Sequence, residues 1–211
     1  MKRFLLLFAL VPALMVFSCF TESTSIVSVG MRKYKFPEHR LKKTNAQSTT
    51  ADKYGPWLLR WSADEMSIAI PRLAMRADGV QYDFNVLMYG SHHLDEDLIL
   101  DSYFLRGQFV GAVPTFDSLT NFYKVPRRLE SERWDVLRLK PNPKATSSPS
   151  LDDVWVADCA KPPGFNHVLC RLEIGYREGI LSTNVLEQNL SLREEIASFL
   201  RRELDSAHIE K

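Results

Sequence analysis

The sequence predicts an α+β fold: antiparallel strands carrying one or two helices, the last of them a C-terminal amphipathic helix. Three observations point there. Val80, Tyr82, Phe84, Val86 and Met88 recur at a period of two, which places them on one face of a strand. Leu192, Ile196, Phe199, Leu200 and Leu204 recur at the helical period. Cys159 and Cys170 bracket a Pro-Pro-Gly stretch with a strand-like run on each side.

The composition bounds the class. Of 211 residues, 45% are hydrophobic and 25% charged, which suits a folded domain and excludes collagen-like and disordered chains. Lys and Arg number 27 against 26 Asp and Glu, a balance without the basic excess of a nucleic-acid binder. Three cysteines are too few for a disulfide scaffold but leave a pair and one spare.

The N-terminus reads as an export signal. Lys2 and Arg3 precede an apolar run of 14 residues, Phe4 to Phe17, interrupted by Pro12 alone. A bilayer span needs about 20 apolar residues, so the run has the length of a secretory h-region instead. It ends in Val16-Phe17-Ser18-Cys19, which resembles a bacterial lipobox with Cys19 as the lipidated residue. Plain cleavage nearby is the alternative. Phe20 follows where an Asp would signal inner-membrane retention, so the resemblance implies anchoring at the periplasmic side of the outer membrane.

The elements follow in order. Residues 1–18 are the signal and 19–30 a Ser/Thr-rich tether. Tyr34 and Phe36 alternate in a short strand before Pro37, and a polar loop follows. Trp57 to Trp61 is an apolar strand. Ser62 then caps a short helix, with Glu65 at the capping-box position and Pro71 limiting its length. Val80 to Tyr89 forms one strand. Phe109-Val110 centres another, and Trp134 to Leu139 a third. Pro141 to Ser150 cannot pack a core and reads as a loop or linker between residues 31–140 and 151–211, which form two small domains or one continuous domain. Strands at Val154–Asp158, Leu169–Tyr176 and Ile180–Leu186 make a C-terminal meander. Ser191 and Glu194 form a second capping box for the final helix.

Two strand ends joined by a short loop bring Cys159 and Cys170 within the 5–6 Å or so that a disulfide requires. The pair therefore reads as a disulfide, which fits an oxidising compartment. A Cys-x-x-Cys redox spacing is absent.

Motifs for catalysis are missing. There is no nucleophile elbow, phosphate loop, dinucleotide fingerprint, His-Glu-x-x-His or EF-hand loop. His92 and His93 adjoin carboxylates, but neighbours on a strand point to opposite faces and do not converge on a metal. No metal site, cofactor or catalytic residue is expected. The dense charge of Asp95, Glu96, Asp97 and Asp101 suits a loop that meets a basic protein partner. Trp57, Trp61, Trp134 and Trp155 alternate with apolar neighbours and read as core.

A lipoprotein-like signal, the Tyr34-Lys35-Phe36-Pro37 segment, the Leu58-to-Pro71 strand-to-helix segment, the Cys159/Cys170 hairpin running into Arg171-Leu172-Glu173-Ile174-Gly175-Tyr176, and the terminal helix occur together. This organisation resembles small envelope immunity proteins encoded beside type VI secretion effectors, particularly those against phospholipase-type toxins. The resemblance implies a non-enzymatic periplasmic protein that binds a cognate toxin and blocks it stoichiometrically. The alternative from another class is a structural or assembly lipoprotein of the envelope.

Overall fold

The computed structural model describes residues 23–29, 31–42, 57–90, 113–127, 130–138, 155–177 and 179–209. Strand outweighs helix. In chain order the elements are β1 (Thr24–Val29), β2 (Arg32–Pro37), β3 (Leu41–Lys42), β4 (Trp57–Trp61), α1 (Ala63–Ala69), β5 (Arg76–Ala77), β6 (Val80–Gln81) and β7 (Phe84–Gly90). Then come β8 (Thr115–Asp117), β9 (Phe122–Arg127), β10 (Glu130–Leu137), β11 (Trp155–Ala160), β12 (Leu169–Tyr176) and β13 (Gly179–Leu186). A 3-10 turn, Glu187–Leu192, leads into α2 (Arg193–Ala207) and β14 (His208–Ile209).

Among the described residues, nine strands form one sheet in the order β3-β4-β7-β13-β12-β11-β10-β9-β8. Neighbours run antiparallel throughout. Strands from both sides of the Pro/Ser stretch pair within this sheet, since β13 lies between β7 and β12. A second sheet, β1-β2-β14, joins the N-terminal segment to the end of the chain.

Side-chain alternation decides which face is core. Phe84, Val86 and Met88 on β7 are buried, as are Leu181 and Val185 on β13, and Cys170, Leu172 and Ile174 on β12. The register puts Met88 opposite Leu181 and Leu181 opposite Ile174, so these residues share one face. The apolar stripe of α2 (Ile196, Phe199, Leu200, Leu204) and β2's Tyr34 and Phe36 join the same core cluster. Trp61 sits in it edge-on to both Phe84 and Phe199. Trp61 and Trp155 are buried, and Trp57 and Trp134 pack against the cluster.

The capping box on α1 is formed. The Ser62 hydroxyl accepts the Glu65 backbone N–H at 3.3 Å, and Glu65 accepts the Ser62 N–H at 2.7 Å. Ser62→Ala should therefore cost about 1 kcal/mol of folding stability, measured by urea denaturation. An unchanged midpoint would deny the cap a role.

Three sequence expectations are corrected. The tether is partly a strand: Thr24–Val29 pairs with β2 and buries Val27 and Val29. Two valines are a weak period-two signal, and pairing with β2 supplies the rest. The strand expected over Val80–Tyr89 is interrupted. Asp78 and Gly79 both take positive φ, at 51° and 76°, and turn β5 into β6, so Val80 to Tyr82 bond back to the β5 segment, whereas β7, from Phe84, pairs with β4 and β13. The second capping box does not form. Ser191 lies inside the 3-10 turn, so its hydroxyl meets no chain start, and Leu192 occupies the α2 N-cap without a side-chain bond.

Candidate functional site

The residues between the core positions point to the opposite face of the nine-stranded sheet. There the register lines up Asn184 on β13, Arg171 on β12, Asp158 on β11 and Asp135 on β10. Asp158 and Asp135 lie directly opposite each other, an arrangement that like charges disfavour. Arginines resolve it. Arg127 grips Asp135 with Nε at 3.1 Å and a terminal nitrogen at 2.9 Å, and reaches Asp158 at 3.4 Å. Arg133 takes Asp158 in a two-pronged pair, its Nε at 2.8 Å, and Arg171 approaches the same carboxylate at 3.4 Å. The Trp155 indole N–H adds a contact to Asp135 at 3.5 Å.

The two carboxylates are deeply set: 1% of the Asp135 side chain and 5% of the Asp158 side chain are exposed, against 49% of Arg171. Burial alone would raise the Asp158 carboxyl. The hydrogen bond from Arg133 and the charges of Arg127, Arg133 and Arg171 outweigh it and hold the group below its ordinary value. Glu173, one pleat along β12, behaves oppositely. Burial pushes it up, against the nearby charge of Arg171 and a hydrogen bond donated by Tyr89.

A groove of about 560 Å³ opens beside this network. Arg133, Lys161, Arg171 and Asn184 supply its donors, Glu132 and Asp158 its carboxylates. A smaller cavity of about 200 Å³ adjoins it across Leu169 and Asn184, and Tyr82, Phe84 and Asn189 help to line it.

The wall of the groove is held from two sides. Cys159 and Cys170 face each other across β11 and β12 and form a disulfide, with both residues fully buried. The loop between them is pinned at its far end to the β5–β6 turn. Asp78 meets His167 Nδ1 at 2.8 Å and accepts the Asn166 backbone N–H at 3.0 Å, while the Tyr82 hydroxyl contacts His167 Nε2 at 3.2 Å. The hydrogen bond to His167 is the main reason the Asp78 carboxyl lies below its ordinary value.

Of the residues expected from sequence, Cys159 and Cys170 come together as a disulfide. Cys19, His92, His93, Asp95, Glu96, Asp97 and Asp101 lie outside the described residues. Among the described residues, no group of three or more His, Cys, Asp or Glu is placed to hold a metal ion. No helix there is long and apolar enough to cross a membrane. The arginine–carboxylate network was not anticipated. Its trace in the sequence is Asp158 inside the apolar Trp155–Ala160 run, and Arg171 and Glu173 between the apolar residues of β12.

The sequence matches no family model and no curated protein. The fold does have a likeness among solved structures. Smlt3025, described as an immunity protein of the Stenotrophomonas maltophilia type IV secretion system, aligns with a TM-score of 0.53 at 9% sequence identity. The alignment covers 90% of this chain and 94% of that one, so the likeness extends over the whole architecture and is one of fold.

Proposed function

We propose that the chain is an immunity protein that binds a cognate secreted toxin in the periplasm and neutralises it in a stoichiometric complex. The observation that carries this reading is the fold likeness, over 90% of the chain, to an immunity protein. The export signal and the buried Cys159–Cys170 disulfide favour an oxidising compartment. Cys19 is the proposed lipid attachment point, tethering the protein to the outer membrane. Sequence resemblance favours a type VI effector of phospholipase type as the toxin, while the fold likeness is to a protein of a type IV system. Asp95, Glu96, Asp97 and Asp101 are proposed to steer a basic toxin surface during association. The mode of action is binding without turnover.

Compartment provides the test. Cells that receive in the periplasm a secreted effector shown to co-purify with this chain should survive when the chain is expressed with its export signal. They should die when residues 1–18 are deleted and the chain stays in the cytoplasm. Equal survival from both compartments would contradict the periplasmic reading, and death in both would contradict the immunity reading.

A further inference from the structure

We propose that the groove beside Asp158 is the docking site for an acidic segment of the partner toxin, received as an Asp or Glu side chain or a C-terminal carboxylate. This rests on the reading of the chain as a toxin-binding protein.

The donors in the groove are not all committed. Arg133 is locked on Asp158. Arg171 is held loosely: its approach to Asp158 is 3.4 Å and its Nε lies 3.7 Å from Glu173, so its fork keeps donors to spare on a half-exposed side chain. Lys161 is exposed and, apart from a favourable charge interaction with Asp78, makes no ion pair among the described residues. Asn184 is exposed in the next strand, directly opposite Arg171. Three donors from β12, β13 and the disulfide loop thus border one space. Asp158 and the Cys159–Cys170 bridge fix the strands that carry them, so little ordering remains for binding to require.

Charge selects the occupant. The lining alone, Arg133, Lys161 and Arg171 against Glu132 and Asp158, carries one positive charge in excess, with Glu173 just outside it at 3.7 Å from Arg171. A single carboxylate neutralises that excess, and its planar oxygens match the Arg171 fork. The volume of about 560 Å³ accommodates a short peptide segment.

The test uses N-acetyl hexaglutamate amide, titrated calorimetrically into the purified protein at low ionic strength. Hexalysine and inorganic phosphate serve as comparison probes. Hexaglutamate should bind, weaken as salt is added, and lose about tenfold or more in affinity in the Lys161→Ala/Arg171→Ala variant. The melting temperature of that variant should fall only slightly, because Arg127 and Arg133 still pair with Asp158 once Arg171 is gone. Arg171→Lys should retain part of the affinity, keeping the charge and losing the fork. Absence of hexaglutamate binding at millimolar concentration, equal binding by the double variant, or tighter binding of phosphate would overturn the carboxylate site. A second arm measures neutralisation of the co-purifying effector by Lys161→Glu/Arg171→Glu, expected to fall tenfold or more. Undiminished neutralisation would remove the groove from the toxin interface and leave the immunity reading intact. Failure of the wild type itself to neutralise would defeat the immunity reading, and the hexaglutamate result would then still decide whether the groove takes carboxylates.

Discussion

Replacing both Cys159 and Cys170 by alanine is expected to lower the unfolding free energy by about 2–5 kcal/mol. The two residues are 11 apart in sequence, directly opposed in register and fully buried, so the bridge closes a loop and ties β11 to β12 in the middle of the large sheet. In the chain-entropy account a loop of this size contributes roughly 3 kcal/mol by restricting the unfolded chain. Losing the buried sulfur atoms from the core adds to the cost. For a chain of this length the melting temperature should fall by roughly 5–15 °C. Urea denaturation of the oxidised wild type, the reduced wild type and the double variant provides the comparison. A loss below about 1 kcal/mol would mean that neighbouring strand pairs hold the register unaided.

Asp158→Ala is expected to cost about 3–5 kcal/mol near neutral pH, the range for removing one partner from a buried ion pair. The carboxylate is 5% exposed and receives Arg127, Arg133 and Arg171, so its loss leaves guanidinium charge without its main counterpart. The effect should depend on pH with a definite sign. The folded state holds this carboxyl below its ordinary value of 3.8, so the fold favours the ionised form. Its stabilisation is fully present above the unfolded pKa and is lost as pH falls through the lower folded value. The difference between wild type and Asp158→Ala should therefore be constant from neutral pH down to about pH 5 and shrink below about pH 4. Glu173 works in the other direction, because its raised carboxyl favours the fold as pH falls. Taking the difference between the two proteins removes the part of that contribution due to burial and leaves the part that Asp158's own charge supplies. A gap that stays constant through the acid range would show that packing, not charge, makes Asp158 important.

The parts of the fold visible in the sequence are those where local pattern and tertiary environment agree. The α2 stripe, the Ser62–Glu65 cap and the alternation of β12 each survive in the folded molecule because local preference and burial point the same way. The disulfide was legible because its flanks read as adjacent strands. Thr24–Val29 was not legible, since β1 owes its structure to β2 and has little apolar periodicity of its own. Ser191 shows the converse. A correct capping motif is idle when the preceding six residues are already wound into a 3-10 turn. The arginine network escaped because its members, Arg127, Arg133, Asp135, Asp158 and Arg171, come from four strands and meet only through register. Its one trace in the sequence, charged residues set among the apolar residues of β11 and β12, does not say which of them meet.

Titrating this protein against a purified secreted effector that co-purifies with it, with residual toxin activity as the readout, tests the central claim most directly. If the chain is a stoichiometric inhibitor, activity falls linearly and reaches its floor near an equimolar ratio, and the floor does not move with incubation time. Inactivation at substoichiometric amounts that deepens with time would show turnover and contradict it, as would toxin activity that stays full at molar excess.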